Sequence, residues 1–420
     1  MKLLAPLLCS LGWVFAGAFA GAAAAAESVE GISIERLSRL HTFMREATDE
    51  RGYLGAVTLV ARNGRIVDWQ AYGWQALDRR APMAKDSIFR IRSMTKPIAS
   101  VAVLMLMEEG KLALEDPVAR WLPEFANAKV FAGGTADAPT LRAAKRPITI
   151  RHLLTHTAGF ATGAGVAEPA KLLDRAQVSA SPDLATFARR LASVPLATDP
   201  GERFSYDGVG IEALSRLVEV VGGEPFDTFV QRRIVAPLQM LDTGFSVPAA
   251  KRARIADVSM VGPAGRLVQA PGAQAGERLN AYPSGAGGLY STAGDYARFC
   301  QMLLNGGTLD GVTILGRKTV ELMTMNHLTQ LTPPVNEFSD AEGFGLGGFV
   351  VLDVARRGRP GSVGAFGWSG SMSTYFTIDP KEKLTAILML QHLPRDDATL
   401  PELPKLSVRF YNLVYQALTP

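Results

Sequence analysis

Cysteine and histidine are scarce in this chain, and no long apolar segment follows its first 26 residues. The 420 residues include only two cysteines, Cys9 and Cys300, and five histidines. Because Cys9 lies in an N-terminal apolar segment, an exported chain without that segment keeps one cysteine and forms no internal disulfide. Its stability must then come from a buried core, which a chain of this length can build. A membrane span after residue 26 is not predicted.

A block of charge of one sign is also missing. The sequence has 44 Lys and Arg against 40 Asp and Glu, so its formal net charge of +4 is small and spread along the chain. Because the sequence has no run of basic residues, it does not indicate a surface that binds nucleic acid. No Gly-x-Ser-x-Gly segment occurs either, which leaves an α/β-hydrolase triad without its nucleophile. We therefore expect a small-molecule partner and neither nucleic acid nor a membrane.

Two patterns resemble metal or cofactor motifs but lack their context. His152 and His156 are four residues apart, yet no glutamate follows His152 as a zinc-protease helix requires. Gly343, Gly345 and Gly348 have the spacing of a dinucleotide fingerprint, but no predicted strand precedes them and no predicted helix follows. We expect no metal and no cofactor.

Residues 1–26 have the pattern of a secretory signal peptide. Lys2 supplies a positive charge, residues 3–20 are apolar, and Ala24-Ala25-Ala26 offers the small residues of a cleavage site. A membrane anchor is the alternative, but the alanine-rich end is weakly hydrophobic for a spanning helix. We expect a mature domain over 27–420 that is periplasmic or secreted.

Both ends of that domain carry strand patterns. Asn63-Gly64 separates the apolar segments 55–62 and 65–72, which predicts an antiparallel hairpin with a type I′ turn. Near the other end, strands are predicted at 345–353, 373–378 and 384–390, and Asp379-Pro380-Lys381-Glu382 is predicted to turn between the last two.

Helices are predicted around and between these strands. Ser33 is suited to cap a helix with Ile34, Leu37, Leu40 and Met44 on one face, and Leu406, Phe410, Leu413 and Ala417 mark a closing helix. The intervening stretch is mainly helical. We predict an α/β fold whose antiparallel sheet comes from both chain ends (27–108 and 324–420), with a mainly helical region at 109–323 inserted between them.

The strongest chemical signal is the tetrapeptide Ser93-Met94-Thr95-Lys96, which is followed by Pro97 and an apolar run. Residues three apart share a helix face, and proline is tolerated in a first turn, so a helix starting near Ser93 places its hydroxyl beside the Lys96 amine. Residues 98–107 are apolar almost all round, which predicts a helix buried within the domain. Burial favours an uncharged amine that can take the serine proton. Such a spacing also arises by chance.

Two later segments are candidates for the rest of a site. Tyr206 follows a Pro-Gly turn and precedes a predicted helix at 209–221, where it would relay a proton, although such a tyrosine is more often a packing residue. Gly364 to Ser371 leads into a strand. There Gly370 would let a substrate approach the backbone, and the N–H groups of Ser371 and Ser93 would form an oxyanion hole.

In this order, Ser93-Met94-Thr95-Lys96, Tyr206-Asp207-Gly208 and Trp368-Ser369-Gly370 resemble the three motifs of the serine β-lactamase and penicillin-binding-protein superfamily, and most of all family VIII carboxylesterases. Segments 150–159 and 287–296 are similar as well. The resemblance implies a β-lactamase-like fold and an acyl-serine mechanism. It gives Ser93 the role of nucleophile, makes Lys96 and Tyr206 a coupled base and acid, and lines the substrate site with Trp368, Ser369, Gly370 and Gly208.

Two departures from the β-lactamase pattern bear on the substrate. Gly208 stands where β-lactamases have an asparagine that holds the drug's amide, and Trp368 stands where they have a lysine for its carboxylate. An apolar wall without a fixed cation favours a neutral ester with a small acyl group.

We therefore expect an exported carboxylesterase acting on short-chain esters. A β-lactamase or D-alanyl-D-alanine peptidase, an acyltransferase, and a silent homologue that binds cell-wall or acyl ligands stay open as alternatives.

Overall fold

A computed structural model describes residues 28–49, 52–162, 167–263, 265–272, 274–395 and 402–419. The predicted signal peptide at 1–26 lies outside these ranges. Within them, no helix combines the length and the apolar character that crossing a membrane requires.

The centre of the molecule is a seven-stranded antiparallel sheet. Its strands are β1 (Gly55–Arg62), β2 (Arg65–Gly73), β3 (Glu342–Phe344), β4 (Phe349–Val351), β5 (Phe366–Gly370), β6 (Thr374–Asp379) and β7 (Leu384–Leu390). They lie in the order β3-β4-β5-β6-β7-β1-β2. Strand β7 from the end of the chain therefore pairs with β1 from its beginning. The predicted sheet built from both chain ends is confirmed.

The first hairpin forms because its turn residues tolerate a left-handed backbone. Asn63 and Gly64 have φ angles of 53° and 81°, as a type I′ turn requires. The hairpin between β6 and β7 is held by the Asp379 carboxylate, which accepts hydrogen bonds from the Lys381 and Glu382 N–H groups. Both turns were predicted.

The strand predicted at 345–353 is wrong in its extent. Residues 342–351 instead form the short hairpin of β3 and β4, which turns over Gly345 to Gly348. Gly347 has φ of 106°, and a Cβ at this position would lie 2.5 Å from the Ser100 hydroxyl. Glycine is thus required by both the backbone angle and the packing, and the apolar pattern that runs through this turn gave no sign of it.

The described ranges contain eleven α-helices. They are α1 (Ile34–Ala47), α2 (Thr95–Glu108), α3 (Ile150–Leu154), α4 (Ala167–Arg175), α5 (Leu184–Ala192), α6 (Val209–Gly222), α7 (Phe226–Val230), α8 (Ala293–Leu304), α9 (Arg317–Met323), α10 (Val354–Arg357) and α11 (Ser407–Tyr415). The same ranges contain five two-stranded sheets at 28–29/32–33, 89–90/290–291, 129–134/139–143, 259–261/267–269 and 308–309/312–313.

Helices cover both faces of the sheet. On one face α1 and α11 pack with Val60, Leu384 and Leu388 in one apolar cluster. On the other face α2 and α8 pack with Val57, Leu59 and Met389 in the larger cluster. The predicted cap of α1 is present, because the Ser33 hydroxyl accepts from the Arg36 N–H, although Ile34 is 37 % exposed rather than buried.

Helix α2 is the element that positions the predicted nucleophile. Every residue from Thr95 to Leu106 is buried, as the uninterrupted apolar run predicts. A short 3₁₀ turn at Arg92–Met94 leads into the helix, and Ser93 lies in this turn at the edge of the core.

Candidate active site

Ser93 and Lys96 are in contact, as their spacing predicts. The Lys96 Nζ lies 3.1 Å from the Ser93 Oγ. Arg92, immediately before Ser93, has φ of 47°, a left-handed angle that costs free energy in a residue other than glycine. Strain of this kind is characteristic of functional positions, where the surrounding structure holds one geometry.

Three groups surround the Lys96 amine. Lys96 is 2 % exposed. Its Nζ donates to the Ala286 carbonyl oxygen at 2.8 Å, contacts Ser93, and lies 4.8 Å from the centre of the Tyr206 ring. The amine is therefore fixed in position between the serine, a backbone carbonyl and an aromatic face.

Tyr206 and Trp368 are joined by a hydrogen bond. The Trp368 indole Nε1–H donates to the Tyr206 hydroxyl oxygen at 3.1 Å, and their ring centres are 5.0 Å apart. The Tyr206 backbone N–H donates to the Glu337 carboxylate at 2.9 Å. The sequence had suggested Trp368 only as an apolar wall, whereas in the structure it also orients the tyrosine.

A cluster of aromatic rings encloses this pair. Its other members are His156, Phe204, Phe338, Phe344 and Phe349. The His156 ring centre is 4.7 Å from that of Tyr206, and its Nδ1 accepts from the Asp207 N–H at 3.3 Å. Burial lowers the pKa of His156, which favours its neutral form. The walls beside Tyr206 are therefore largely apolar.

Most of the predicted site residues line one cavity of about 700 Å³. Ser93, Tyr206 and the predicted substrate-binding and oxyanion residues Trp368, Ser369, Gly370 and Ser371 all line it. Gly208 is not among its lining residues. A Cβ at Gly208 would lie 3.4 Å from the Ala286 Cβ, an ordinary contact, so neither space nor backbone angle requires glycine there.

Packing requires glycine at position 370, which was not predicted from the sequence. A Cβ at this position would lie 2.3 Å from the Ile91 carbonyl oxygen and 2.4 Å from the Thr374 hydroxyl. The Thr374 hydroxyl also donates to the Ile91 carbonyl at 3.3 Å. Glycine at the end of β5 therefore lets this strand lie against the segment that leads to Ser93.

The beta-lactamase family model matches residues 40–407, which is most of the chain and includes all of these site residues. The chain belongs to the beta-lactamase family. The predicted superfamily and fold are thereby confirmed, and the chain is a serine hydrolase.

The chain is similar to curated proteins and to solved structures over most of its length. Protein Rv1367c of Mycobacterium tuberculosis is 35 % identical over 362 residues, which cover 84 % of this chain and 89 % of the relative. Esterase EstB of Burkholderia gladioli is 31 % identical over 378 residues, which cover 84 % of this chain and 89 % of EstB. Among solved structures, EstCE1, described as a hydrolase with promiscuous acyltransferase activity, is 26 % identical with a TM-score of 0.73, and the match covers 92 % of this chain and 99 % of EstCE1.

Glu212 is a buried acidic residue near the site that no sequence motif indicated. It lies on α6 and is 5 % exposed. Its carboxylate accepts from the Ser284 hydroxyl and, at 3.1 Å, from the Gly285 N–H. Burial raises the pKa of Glu212 to about 7, against the opposing effects of the Ser284 hydrogen bond and the Lys96 charge. The available signal was an acidic residue on the apolar face of a helix six positions after Tyr206.

The two histidines considered as metal ligands do not share a helix. The His152 Nδ1 accepts from the Thr149 N–H as part of the cap of α3, which ends at Leu154, whereas His156 lies beyond it. No group of three or more His, Cys, Asp or Glu side chains with metal-binding geometry occurs among the described residues. Cys300 is fully buried on α8, and burial raises the pKa of its thiol well above the usual range.

Proposed function

We propose that this serine hydrolase is a carboxylesterase that forms an acyl-enzyme on Ser93. The observation that carries the proposal is the contact of the Ser93 hydroxyl, in the 3₁₀ turn before α2, with the Lys96 amine buried in the first turn of α2. In the proposed mechanism this amine takes the hydroxyl proton, and the proton transfer activates the serine.

The proposed acylation step uses the groups around that contact. The Ser93 oxygen bonds to the ester carbonyl carbon as its proton passes to the Lys96 amine. The oxyanion that forms accepts hydrogen bonds from the N–H groups of Ser93 and Ser371. The C–O bond to the alcohol then breaks, and the proton returns through Lys96 and the Tyr206 hydroxyl to the departing oxygen. Water repeats the sequence on the acyl-enzyme and releases the acid.

The aromatic part of the cavity wall suits a neutral ester with a short acyl chain. Trp368, Phe338 and Phe349 line the cavity and offer apolar contact. The cations Arg357, Arg359 and Lys405 line it as well, and the two arginines pair with Glu342. Gly208 provides no side-chain amide for a β-lactam, and Trp368 provides no positive charge for its carboxylate. Esterase EstB, a relative at 31 % identity, supports the choice of an esterase.

An acyltransferase is the second candidate. The same acyl-enzyme transfers its acyl group to an alcohol where the alcohol reaches it before water does. The aromatic rings around Tyr206 offer an apolar surface on which an organic acceptor alcohol can bind. EstCE1, which is similar in fold, is described as having promiscuous acyltransferase activity.

We further propose that the enzyme is exported, because residues 1–26 have the composition of a cleaved signal peptide. The mature form would act in the periplasm or outside the cell. Cell fractionation with N-terminal sequencing of the mature protein tests this, and we expect Glu27 as the first residue.

A fluorophosphonate probe followed by substrate comparison tests the catalytic proposal. We expect the probe to label the wild type and to fail with Ser93→Ala, whereas a silent ligand-binding homologue would not be labelled at all. Turnover of p-nitrophenyl butyrate, a chromogenic cephalosporin and a D-alanyl peptide should then favour the ester. Labelling retained in Ser93→Ala would overturn the assignment of the nucleophile.

A further inference from the structure

Glu212 and Lys96 bind the same short backbone segment, residues 284–286. The Glu212 carboxylate accepts from the Ser284 hydroxyl and from the Gly285 N–H. One residue further on, the Ala286 carbonyl accepts from the Lys96 Nζ at 2.8 Å. The acid on α6 and the amine on α2 thus hold the same three-residue segment, from its two ends.

The geometry of this segment depends on Glu212. The Ser284 hydroxyl oxygen also accepts from the Gly287 N–H at 3.2 Å, so the carboxylate fixes a turn as well as a single bond. A Cβ at Gly285 would lie 2.2 Å from the Ser215 hydroxyl and 3.2 Å from the Ala99 Cβ, which shows how closely the turn packs between α6 and α2. The position of the Ala286 carbonyl relative to Lys96 is therefore tied to the carboxylate.

We propose that Glu212 is a positioning residue for the Lys96 amine, which it holds through the turn at 284–286 and influences through its own negative charge. The inference rests on the proposed role of Lys96 as the base in ester hydrolysis. Glu212 does not line the cavity, and it acts on the reaction only through Lys96.

The charges around Glu212 define the direction of the effect. Lys96 on α2 is the charged group that interacts with it, and Tyr282, just before the turn, is the titratable group that faces it. Opposite charges attract one another, so removing the Glu212 charge by mutation should move the acid limb of activity to lower pH.

Glu212→Gln separates charge from geometry. A glutamine oxygen can still accept from the Gly285 N–H, and its amide N–H can donate to the Ser284 hydroxyl oxygen, so the turn keeps two anchors. We expect the acid limb of the kcat/KM profile with p-nitrophenyl butyrate to move to lower pH by about one unit, the size of shift that a neighbouring charge causes. On the acid side this is about a tenfold gain over the wild type.

Ser284→Ala provides a second variant if Glu212→Gln folds poorly. It removes one donor to the ionised carboxylate, which favours neutral Glu212, so the limb should move in the same direction by a smaller amount. Asp295→Asn is the matched control. Asp295 is another buried carboxylate whose pKa burial raises and which accepts from a backbone N–H and a hydroxyl, but its electrostatic partners are Asp242 and Lys251.

The inference would be overturned if the acid limb of kcat/KM were unchanged in both Glu212→Gln and Ser284→Ala. This holds even if kcat fell at every pH, because a uniform fall is what a purely structural side chain would cause. A shift of the same size in Asp295→Asn would overturn it as well. If Ser93→Ala still turned over the ester, the proposed function would fail instead, which keeps the two failures distinct.

Discussion

The hydrogen bond from Trp368 to Tyr206 predicts a specific catalytic cost for removing one N–H group. Trp368→Phe keeps an aromatic ring in the cluster but deletes the donor that lies 3.1 Å from the Tyr206 hydroxyl oxygen. If Tyr206 passes a proton to the departing alcohol, its oxygen gains negative charge in the transition state. A donor stabilises that charged oxygen more than it stabilises the neutral phenol.

The magnitude follows from the difference between the two kinds of hydrogen bond. A neutral bond contributes about 1 kcal/mol and a bond to a charged group about 2 kcal/mol, so the differential loss is about 1 kcal/mol. This corresponds to roughly a fivefold fall in kcat. We expect KM for p-nitrophenyl butyrate to change little, because the bond lies within the protein and is present before substrate binds.

A double-mutant cycle with Tyr206→Phe separates this effect from packing. Once the tyrosine hydroxyl is absent, Trp368→Phe has no donor bond left to remove, so we expect it to cause no further loss of kcat. Thermal unfolding of each variant accounts for lost ring contacts. A kcat for Trp368→Phe within twofold of the wild type would refute the reasoning, and so would a fivefold loss that persists in the Tyr206→Phe background.

Three further predictions concern the nucleophile, cofactors and substrate class. Ser93→Ala and Lys96→Ala should each reduce acyl-enzyme formation by about a thousandfold or more, with the fold intact by circular dichroism, since residues that act as one unit fail together; near-normal turnover by Lys96→Ala would remove it from the mechanism. Chelators should leave activity unchanged because the proposed mechanism uses no metal, and activity lost with EDTA and restored by zinc would contradict this. Thiol reagents should also leave activity unchanged, because Cys300 is buried and the pKa of its thiol is raised. Short-chain esters should exceed a cephalosporin in kcat/KM by hundreds- to thousands-fold, because Gly208 and Trp368 together forfeit on the order of 3–5 kcal/mol of polar contacts; a higher value for the cephalosporin would show that another cation binds its carboxylate.

The parts of the site that could be predicted are those set by local geometry. Ser93 and Lys96 meet because residues three apart share a helix face. The Asn63-Gly64 turn forms because both residues tolerate a left-handed backbone. In each case the physical cause lies within a few positions of the residues concerned.

The parts that could not be predicted depend on contacts between distant segments. The Ala286 carbonyl reaches Lys96 across 190 positions of the chain, and the Trp368 indole reaches Tyr206 across 162. No periodicity encodes such contacts. The close approach of a substrate to Gly370 stays a prediction, whereas its contact with the backbone of Ile91 could not be predicted from the sequence.

The pairing of β1 with β7 has a consequence for how the chain folds. Arg62 at the end of β1 pairs with Leu384, and its guanidinium bonds Glu382, 320 positions further along. During synthesis the β1–β2 hairpin emerges early, but its outer edge has no partner until almost the whole chain has been made. Contacts of such high sequence separation fold slowly and leave an apolar strand edge open to other chains. Recombinant yield should therefore respond more to temperature and chaperone supply than to changes within the cavity.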